Sequence, residues 1–265
     1  MSQSALSQGV QQLERTIGSP LTERVGRGHR LTPVGEATLV FARRVLAETD
    51  RLGAQLTARR DGKAGNVRLG LVDAAALYLL KEPLERFRAG HPEVYLQLTV
   101  ETSARLLTMV EQFELDAAIV IGPPDETRDA EEGYREIIRE PLYVYGPPID
   151  DLTHARRWVL YPDQSRTRSY IDQALSSLGV TPVVRNECSN PSVIAQLVRL
   201  GEGWTVLPAG IADSVVNPLP RRSGVIAERR LVAVKAKHAQ TDPLVDHLLT
   251  WLAPEDGEAA DTFHE

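Results

Sequence analysis

Cysteine, long apolar runs and catalytic signatures are what this sequence has least of. Cys188 is the one cysteine in 265 residues, so no intrachain disulfide can form and a reducing compartment is expected. The longest fully apolar stretch is Ala74–Leu80. That is far short of the roughly 20 residues a membrane-spanning helix needs. No basic start followed by an apolar core opens the chain, so no secretory signal is expected. There is no GxGxxG, no P-loop and no GxSxG. Gly201-Glu202-Gly203 lacks the third glycine of a dinucleotide fingerprint and follows a helical pattern, so it reads as a turn. The six histidines form no ligand-spaced pair and have no cysteine beside them, which argues against a metal site. No Ser–His–Asp set can be nominated, and Cys188 reads as an inert thiol rather than a sensor. These absences describe a cytoplasmic chain that is not an enzyme, with no metal, no cofactor and no membrane partner.

What is present is ordinary globular material. Hydrophobic residues make up 42% and charged residues 25%, which excludes wholesale disorder and collagen-like structure. The length suits one or two domains. The net charge of −6 hides an asymmetry: residues 1–60 carry +4 and the remainder −10. A basic end on an acidic body points to a polyanion at that end, or to nothing more than a solvated face.

Residues Ser2–Gly18 read as a helix. Leu6, Val10, Leu13 and Ile17 form one apolar stripe. Gln3, Ser4, Ser7, Gln8 and Gln11 lie on the other side, where amide and hydroxyl groups can both donate and accept, as base edges in a major groove require. A plain surface helix would show the same composition. Leu21–Val25 and His29–Thr32 then flank Gly26-Arg27-Gly28, a strand–turn–strand pattern. Arg24, Arg27 and Arg30 cluster on this ribbon with His29. A polar-faced helix followed by a basic hairpin reads as a recognition helix and wing. The ribbon would meet phosphates while the helix meets bases. Three arginines, doubled in a dimer, would offer about six phosphate contacts and a log–log salt slope of roughly −5.

Here the sequence resembles the LysR-type transcriptional regulators. The matching words are SQSALSQ at Ser2–Gln8, Leu13-Glu14, ERVGRGHRLT at Glu23–Thr32 and PVGE at Pro33–Glu36. About thirty residues precede SQSALSQ in that family and form two further helices of its winged helix-turn-helix. The resemblance therefore implies a partial reader head over 1–32, with the stripe from Leu6 to Ile17 short of packing partners.

Thr32 can cap a helix that begins with Pro33 and runs to about Arg60. Ala37, Phe41, Val45, Leu52 and Leu56 give it one narrow apolar stripe, which suits pairing with a second copy or packing on its own domain. Resemblance favours the family's dimerising linker, 33–60, in a homodimer or homotetramer. A hinge is expected at 61–65.

From Val67 the text alternates strand and helix, which argues for a parallel α/β sheet. Strands are expected at Val67–Val72, Tyr95–Val100, Asp116–Ile121, Trp158–Tyr161, Val183–Asn186, Thr205–Leu207 and Leu231–Val234. Helices are expected at Ala75–Ala89, Ala104–Phe113, Ser169–Leu178, Ser192–Leu200 and Pro243–Leu252. The words RLGLV (Arg68–Val72), RFRAGHPEV (Arg86–Val94), ELDAAIVIGPP (Glu114–Pro124), EPLYVY (Glu140–Tyr145) and LVRLGEGWTVLP (Leu197–Pro208) extend the resemblance. It implies a two-lobed effector domain over 66–253, like periplasmic solute-binding proteins. Lobe one would be 66–146 plus 229–253, and lobe two 148–228. The acidic stretch 254–265 is expected to be a disordered tail.

Ligands in open α/β sheets sit beyond the carboxyl ends of strands, often at helix N-termini. That rule selects Asp73, Ala74, Thr102, Ser103, Ile121, Gly122, Ser189, Trp204 and Thr205, and the family's pocket maps to the same places. Ala74 and Ala75 stand where the family often has a hydroxyl residue. Ser103 could equally be a helix cap. A small organic anion is the expected effector class, because helix N-termini converge and Arg166 and Arg168 stand in a nearby loop. The fold class is thus α/β: a partial winged helix-turn-helix, a long linker helix and a two-lobed effector domain. The partners are double-stranded DNA and a small molecule. The alternative is a cytoplasmic small-molecule binding protein that has lost DNA binding through a shortened N-terminus.

Overall fold

The computed structural model describes residues 3–25, 28–61, 65–125, 133–148, 152–154, 157–212 and 218–253, with the side chains of 3–5, 54–61 and 154 left out. Arg27, the side chains of Gln3, Ser4 and Leu56, most of the expected hinge and the 254–265 tail lie outside the described residues.

Helix α1 spans Gln3–Ile17. The ribbon β1 (Thr22–Val25) and β2 (Gly28–Leu31) follows, and then the 29-residue helix α2, Pro33–Asp61. Glu14 Oε1 accepts the N–H groups of Leu21 (2.7 Å) and Thr22 (3.2 Å), which fixes α1 to the ribbon. Thr32 is the hub of the next junction. Its hydroxyl caps α2 by accepting the Gly35 N–H at 2.9 Å and donates to the Pro20 carbonyl at 2.8 Å. Gly35 lets α2 pass against the Leu21 carbonyl, where a Cβ would collide with backbone. Leu6, Leu13 and Ile17 of α1 are exposed.

One face of α2 packs on the domain that follows. Arg43 pairs with Glu114 and donates to Gln112, Arg44 lies over the Phe113 ring, and Arg51 reaches Asp242 and the His238 carbonyl. The other face carries Phe41, Val45, Leu46 and Leu52, all exposed.

The large region is built on a six-stranded sheet in the order β4-β3-β5-β10-β6-β9. Its strands are β3 (Gly65–Leu71), β4 (Val94–Val100), β5 (Ala117–Ile121), β6 (Arg135–Tyr145), β9 (Thr205–Pro208) and β10 (Ala227–Lys235). A parallel pair, β7 (Trp158–Leu160) and β8 (Val184–Glu187), joins β9 through a parallel bridge between Trp158 and Trp204. The helices are α3 (Lys81–Gly90), α4 (Ser103–Glu111), α5 (Arg166–Ser177), α6 (Pro191–Arg199), the one-turn α7 (Ala209–Ala212) and α8 (Pro243–Leu252). No described helix is long and apolar enough to cross a membrane.

Two expected elements differ. The single helix over Ala75–Ala89 is instead a π-turn at Ala75–Leu79, a break at Leu80 and then α3. Pro83 is the cause: without an N–H it suits only a helix's first turn, so a new helix starts just before it. The helix expected from Ser169 starts at Arg166, which puts Arg166 and Arg168 in its first turn rather than in a loop.

The strands run between two lobes. In lobe one, β3, β4 and β5 are parallel and all end on one side. Strand β10 pairs with β5 from Lys235 to Leu231, then continues past Ile121. Strand β6 accompanies it there, with Arg229 opposite Glu140 and Ala227 opposite Leu142. From Leu142 to Tyr145 it pairs with β9, the first strand of lobe two. The parallel strands β9, β7 and β8 run back toward lobe one, so the carboxyl ends of both strand sets face each other across the β6–β10 crossing.

Away from that crossing, Asp116 ties lobe one together. It accepts the Arg68 side chain (2.7 Å), the Arg68 N–H (2.7 Å) and His238 Nε2 (2.8 Å). Burial alone would raise its pKa, but the hydrogen bonds from His238 and Arg68 and the Arg68 charge win, pulling it down to about 2. The ionised carboxylate therefore stabilises the fold above the unfolded-state value of 3.8, and that stabilisation disappears as pH falls toward 2. The gap amounts to about 2 kcal/mol. Urea titrations between pH 5 and 2 are expected to show this loss in the wild type, and Asp116→Asn to flatten it. An equally steep curve in the variant would remove Asp116 from the account.

Candidate functional site

The facing strand ends define a cleft whose floor is the β6–β10 crossing. Glu140 and Arg229 are cross-strand partners there and both are buried. Arg229 Nε donates to Glu140 Oε2 at 2.7 Å, with Nη2 at 2.6 Å from the same oxygen. Its Nη1 donates to the Thr167 hydroxyl at 2.9 Å, in the first turn of α5. Tyr161, just beyond β7, stands against the same guanidinium without a well-formed hydrogen bond. Asp73, just beyond β3, supplies a carboxylate from lobe one. These five groups come from both lobes and the floor, and the four titratable ones, Asp73, Glu140, Tyr161 and Arg229, couple electrostatically.

The electrostatics follow from burial. Desolvation pushes the Glu140 carboxyl up, against the pull of Arg229. It also raises Asp73, against backbone hydrogen bonds and the more distant Arg229. The Tyr161 phenol is held well above its ordinary value by burial. Arg229 is raised despite its burial, because Glu140, Tyr161 and Asp73 surround it. Glu140 Oε1 and the Tyr161 hydroxyl are buried with no protein hydrogen-bond partner. Buried polar atoms of this kind are rare and costly, which makes the cleft floor a polar site that calls for a ligand or solvent.

Hydrogen bonds cross the cleft. Arg166 donates from lobe two to the Ile121 carbonyl and the Tyr134 hydroxyl, each at 2.9 Å. Tyr170 donates to the Pro123 carbonyl at 3.0 Å, and the Tyr78 and Ser192 hydroxyls lie 3.5 Å apart. These bonds hold the lobes against one another.

The expected effector residues divide into two sets. Asp73, Ala74, Thr102, Ser103, Ile121 and Gly122 sit at the carboxyl ends of β3, β4 and β5 and share the lobe-one rim. Ser103 is no cap: its hydroxyl accepts the Ile121 N–H at 3.1 Å, pinning β5 to α4. Ser189 is exposed beside Asn190, whose side chain caps α6 by accepting the N–H groups of Ser192 and Val193. Trp204 and Thr205 are misplaced. They lie at the amino end of β9, opposite Tyr145, and the strand then runs toward the cleft to Pro208. Three residues of strand put Thr205 about 10 Å behind the cleft-facing end. Trp204 instead donates to the Pro147 carbonyl at 3.2 Å and closes over Gly146, where a Cβ would meet its ring.

Glu140, Arg229, Tyr161 and Thr167 were not expected. Their signal is long-range: Glu140 and Arg229 are 89 residues apart, and although Glu140 opens the word EPLYVY, nothing local to either residue marks a role. The arginines behind the expected anion are all engaged. Arg166 is used as above, while Arg168 holds Asp172 (2.8 Å), the Tyr161 carbonyl (2.9 Å) and Glu187 (3.2 Å).

At the other end, the ribbon register places Arg24 opposite His29 and Glu23 opposite Arg30. Side chains alternate across a strand, so Arg24 and Arg30 lie on opposite faces. Both are exposed, and Arg30 pairs with Glu23 at 2.6 Å. Ser7, Gln8 and Gln11 are exposed on α1.

A family model described as the LysR substrate binding domain matches residues 60–256. A second, the bacterial regulatory helix-turn-helix protein of the lysR family, matches residues 1–36. The HTH-type transcriptional regulator DgdR of Burkholderia cepacia is 33% identical over 227 residues, 83% of this chain and 74% of its own. The regulator IlvR of Caulobacter vibrioides is 28% identical over 280 residues, 98% of this chain and 91% of its own. The solved structure of CbnR, a LysR family transcriptional regulator, superposes with a TM-score of 0.71 at 19% identity. It covers 96% of this chain and 91% of its own. CbnR has also been solved with its target DNA, with a TM-score of 0.69.

Proposed function

Because the chain belongs to the LysR family of transcriptional regulators, we propose that a small molecule held between its lobes controls how it engages DNA. The division of labour is 1–32 as DNA reader, 33–60 as dimerising linker, and 66–253 as effector domain. Lobe one is 66–146 plus 229–253, and lobe two is 148–228. The named relatives are regulators, and this chain is read as a cytoplasmic regulator rather than a catalyst. The observation that carries the effector site is the row of buried polar atoms on the cleft floor without protein partners, Glu140 Oε1 and the Tyr161 hydroxyl. A ligand with differential affinity for the closed lobes would shift their arrangement and, through α2, the spacing of the readers.

Thermal unfolding across a metabolite panel tests this. Ligand at a hundred times its dissociation constant adds about 2.7 kcal/mol of stability. Ser103→Ala and Tyr161→Phe are expected to erase most of that shift for a genuine effector. Thr205→Val, behind the cleft, is expected to keep it. A shift abolished by Thr205→Val and untouched by the other two would place the ligand elsewhere. A ligand that leaves operator binding unchanged would defeat the regulatory reading.

The exposed face of α2 carries the dimer proposal. Phe41 is 65% and Leu46 64% exposed, large apolar surface that a second copy of the helix would cover. Sedimentation at micromolar concentration is expected to show a dimer or larger. Phe41→Asp with Val45→Asp is expected to give a folded monomer. A monomeric wild type would overturn the assignment.

A further inference from the structure

We propose that the cleft recognises a ligand through a primary ammonium group, held by the Asp73 carboxylate above the Glu140–Arg229 floor. The inference rests on the effector reading above and names the ligand's chemistry.

On the cleft floor and the Asp73 rim above it, carboxylates outnumber the guanidinium. Asp73 and Glu140 bring two carboxylates and Arg229 one guanidinium. That guanidinium is already engaged from within: Nε donates to Glu140 Oε2 and Nη1 to the Thr167 hydroxyl, while Nη2 lies 2.6 Å from the same carboxylate oxygen without a well-formed hydrogen bond. Arg166 and Arg168 are bound to carbonyls, a phenol and other carboxylates. Arg230, the next residue of β10, donates to the Pro123 carbonyl and faces Glu136. Each of these arginines is thus already held by protein groups.

The acceptors are the groups in surplus. Among the described residues, Asp73 accepts backbone N–H, from Ala74 at 2.8 Å, and makes no ion pair. Glu140 Oε1 is buried and accepts nothing, and the Tyr161 hydroxyl beside it is also unpartnered. A carboxylate can accept several hydrogen bonds, and an ammonium has three to give and none to accept. An ammonium between Asp73 and the floor would pair with the Asp73 carboxylate and satisfy acceptors that the protein leaves open. Charge-assisted bonds of this kind are the strong ones. An anion there would face two carboxylates instead. The uncapped first turn of α4, where Thr102 makes no side-chain cap, offers its N–H groups at the rim. A carboxylate on the same ligand could therefore be accepted at the rim but is not required.

The test uses matched pairs on the full chain: butylamine against butanoate, L-alanine against pyruvate, and L-valine against 2-oxoisovalerate. At least one ammonium-bearing member is expected to raise the unfolding temperature and bind in calorimetry, with its ammonium-free match at least tenfold weaker. Asp73→Asn should weaken that ligand about tenfold or more, the effect of losing one charge-assisted hydrogen bond. Asp73→Glu, which keeps the charge, should recover part of the affinity. Urea unfolding of each unliganded variant shows whether it is folded. Three results overturn the inference: no binding by any ammonium-bearing member, equal binding by the ammonium-free matches, or affinity indifferent to Asp73→Asn in a folded variant. A cleft that binds only the acids would sink the ammonium while leaving the regulator reading intact. Loss of that reading shows separately, as a chain whose operator binding no cleft ligand alters.

Discussion

Arg229→Met is expected to cost about 3–5 kcal/mol of unfolding free energy, because it strands Glu140 in the floor of the cleft. Glu140 is fully buried, so water cannot replace the lost partner. Desolvation already pushes its carboxyl up, and Arg229 is the main force holding it ionised. Without Arg229 the carboxyl would take a proton, and the cost at neutral pH is the cost of forcing that. The folded-state pKa would lie above the unfolded value, so the folded state would bind the proton more tightly. The variant's deficit should therefore shrink as pH falls from 7 toward 5. Glu140→Leu combined with Arg229→Met should recover much of the loss, since a matched apolar pair leaves no stranded charge. Urea midpoints of the two single variants and the double variant measure the coupling. A single-variant cost below about 1 kcal/mol would mean the pair is better solvated than its burial indicates.

How much of this was legible depends on the range of the interaction. Helices with a one-sided stripe were readable, because periodicity is local. Pro243–Leu252 and the Thr32 cap of α2 needed only neighbouring residues. The break before α3 was also local: Pro83 stood in plain view inside the expected Ala75–Ala89 helix. The apolar count on either side of it had outweighed its missing N–H. Strand β6 was harder. No strand was expected over Arg135–Tyr145: its end, EPLYVY, served only as a word of the family resemblance, and Arg135–Arg139 carries charges that the sheet turns outward.

The cleft shows the same division. The carboxyl-end rule found the lobe-one rim, since β3, β4 and β5 run in one direction. It failed at Thr205, because which end of β9 faces the cleft depends on its antiparallel pairing with β6. That register cannot be read from four residues. Glu140 and Arg229 were invisible for the same reason: each looks like an ordinary charge in its own strand. Only the β6–β10 register makes them partners. The expected anion rested partly on two arginines read as free in a loop. The first turn of α5 instead commits them to the protein.

Operator binding is expected to weaken about a thousandfold between 50 and 200 mM salt. The basic ribbon is the reason. Arg24 is exposed on one face and Arg30 on the other, with Arg27 between them at the turn in sequence. Arg30 is paired with Glu23, but the pair is exposed, and such a pair is worth only about 0–1 kcal/mol. A phosphate can therefore take Arg30 from Glu23. Three arginines on each of two protomers give about six phosphate contacts and a log–log slope of roughly −5. Arg24→Ala or Arg27→Ala should weaken all sequences alike and lower the slope by about two for the dimer. Glu23→Gln frees Arg30 beforehand and should strengthen binding modestly on every sequence. Gln8→Ala or Gln11→Ala, on the exposed face of α1, should instead change which bases are preferred and leave the slope alone. Fluorescence anisotropy on the operator and on a scrambled duplex, across the salt series, separates the two behaviours. A base preference that moves with Arg24 and a slope that moves with Gln8 would exchange the roles of ribbon and helix.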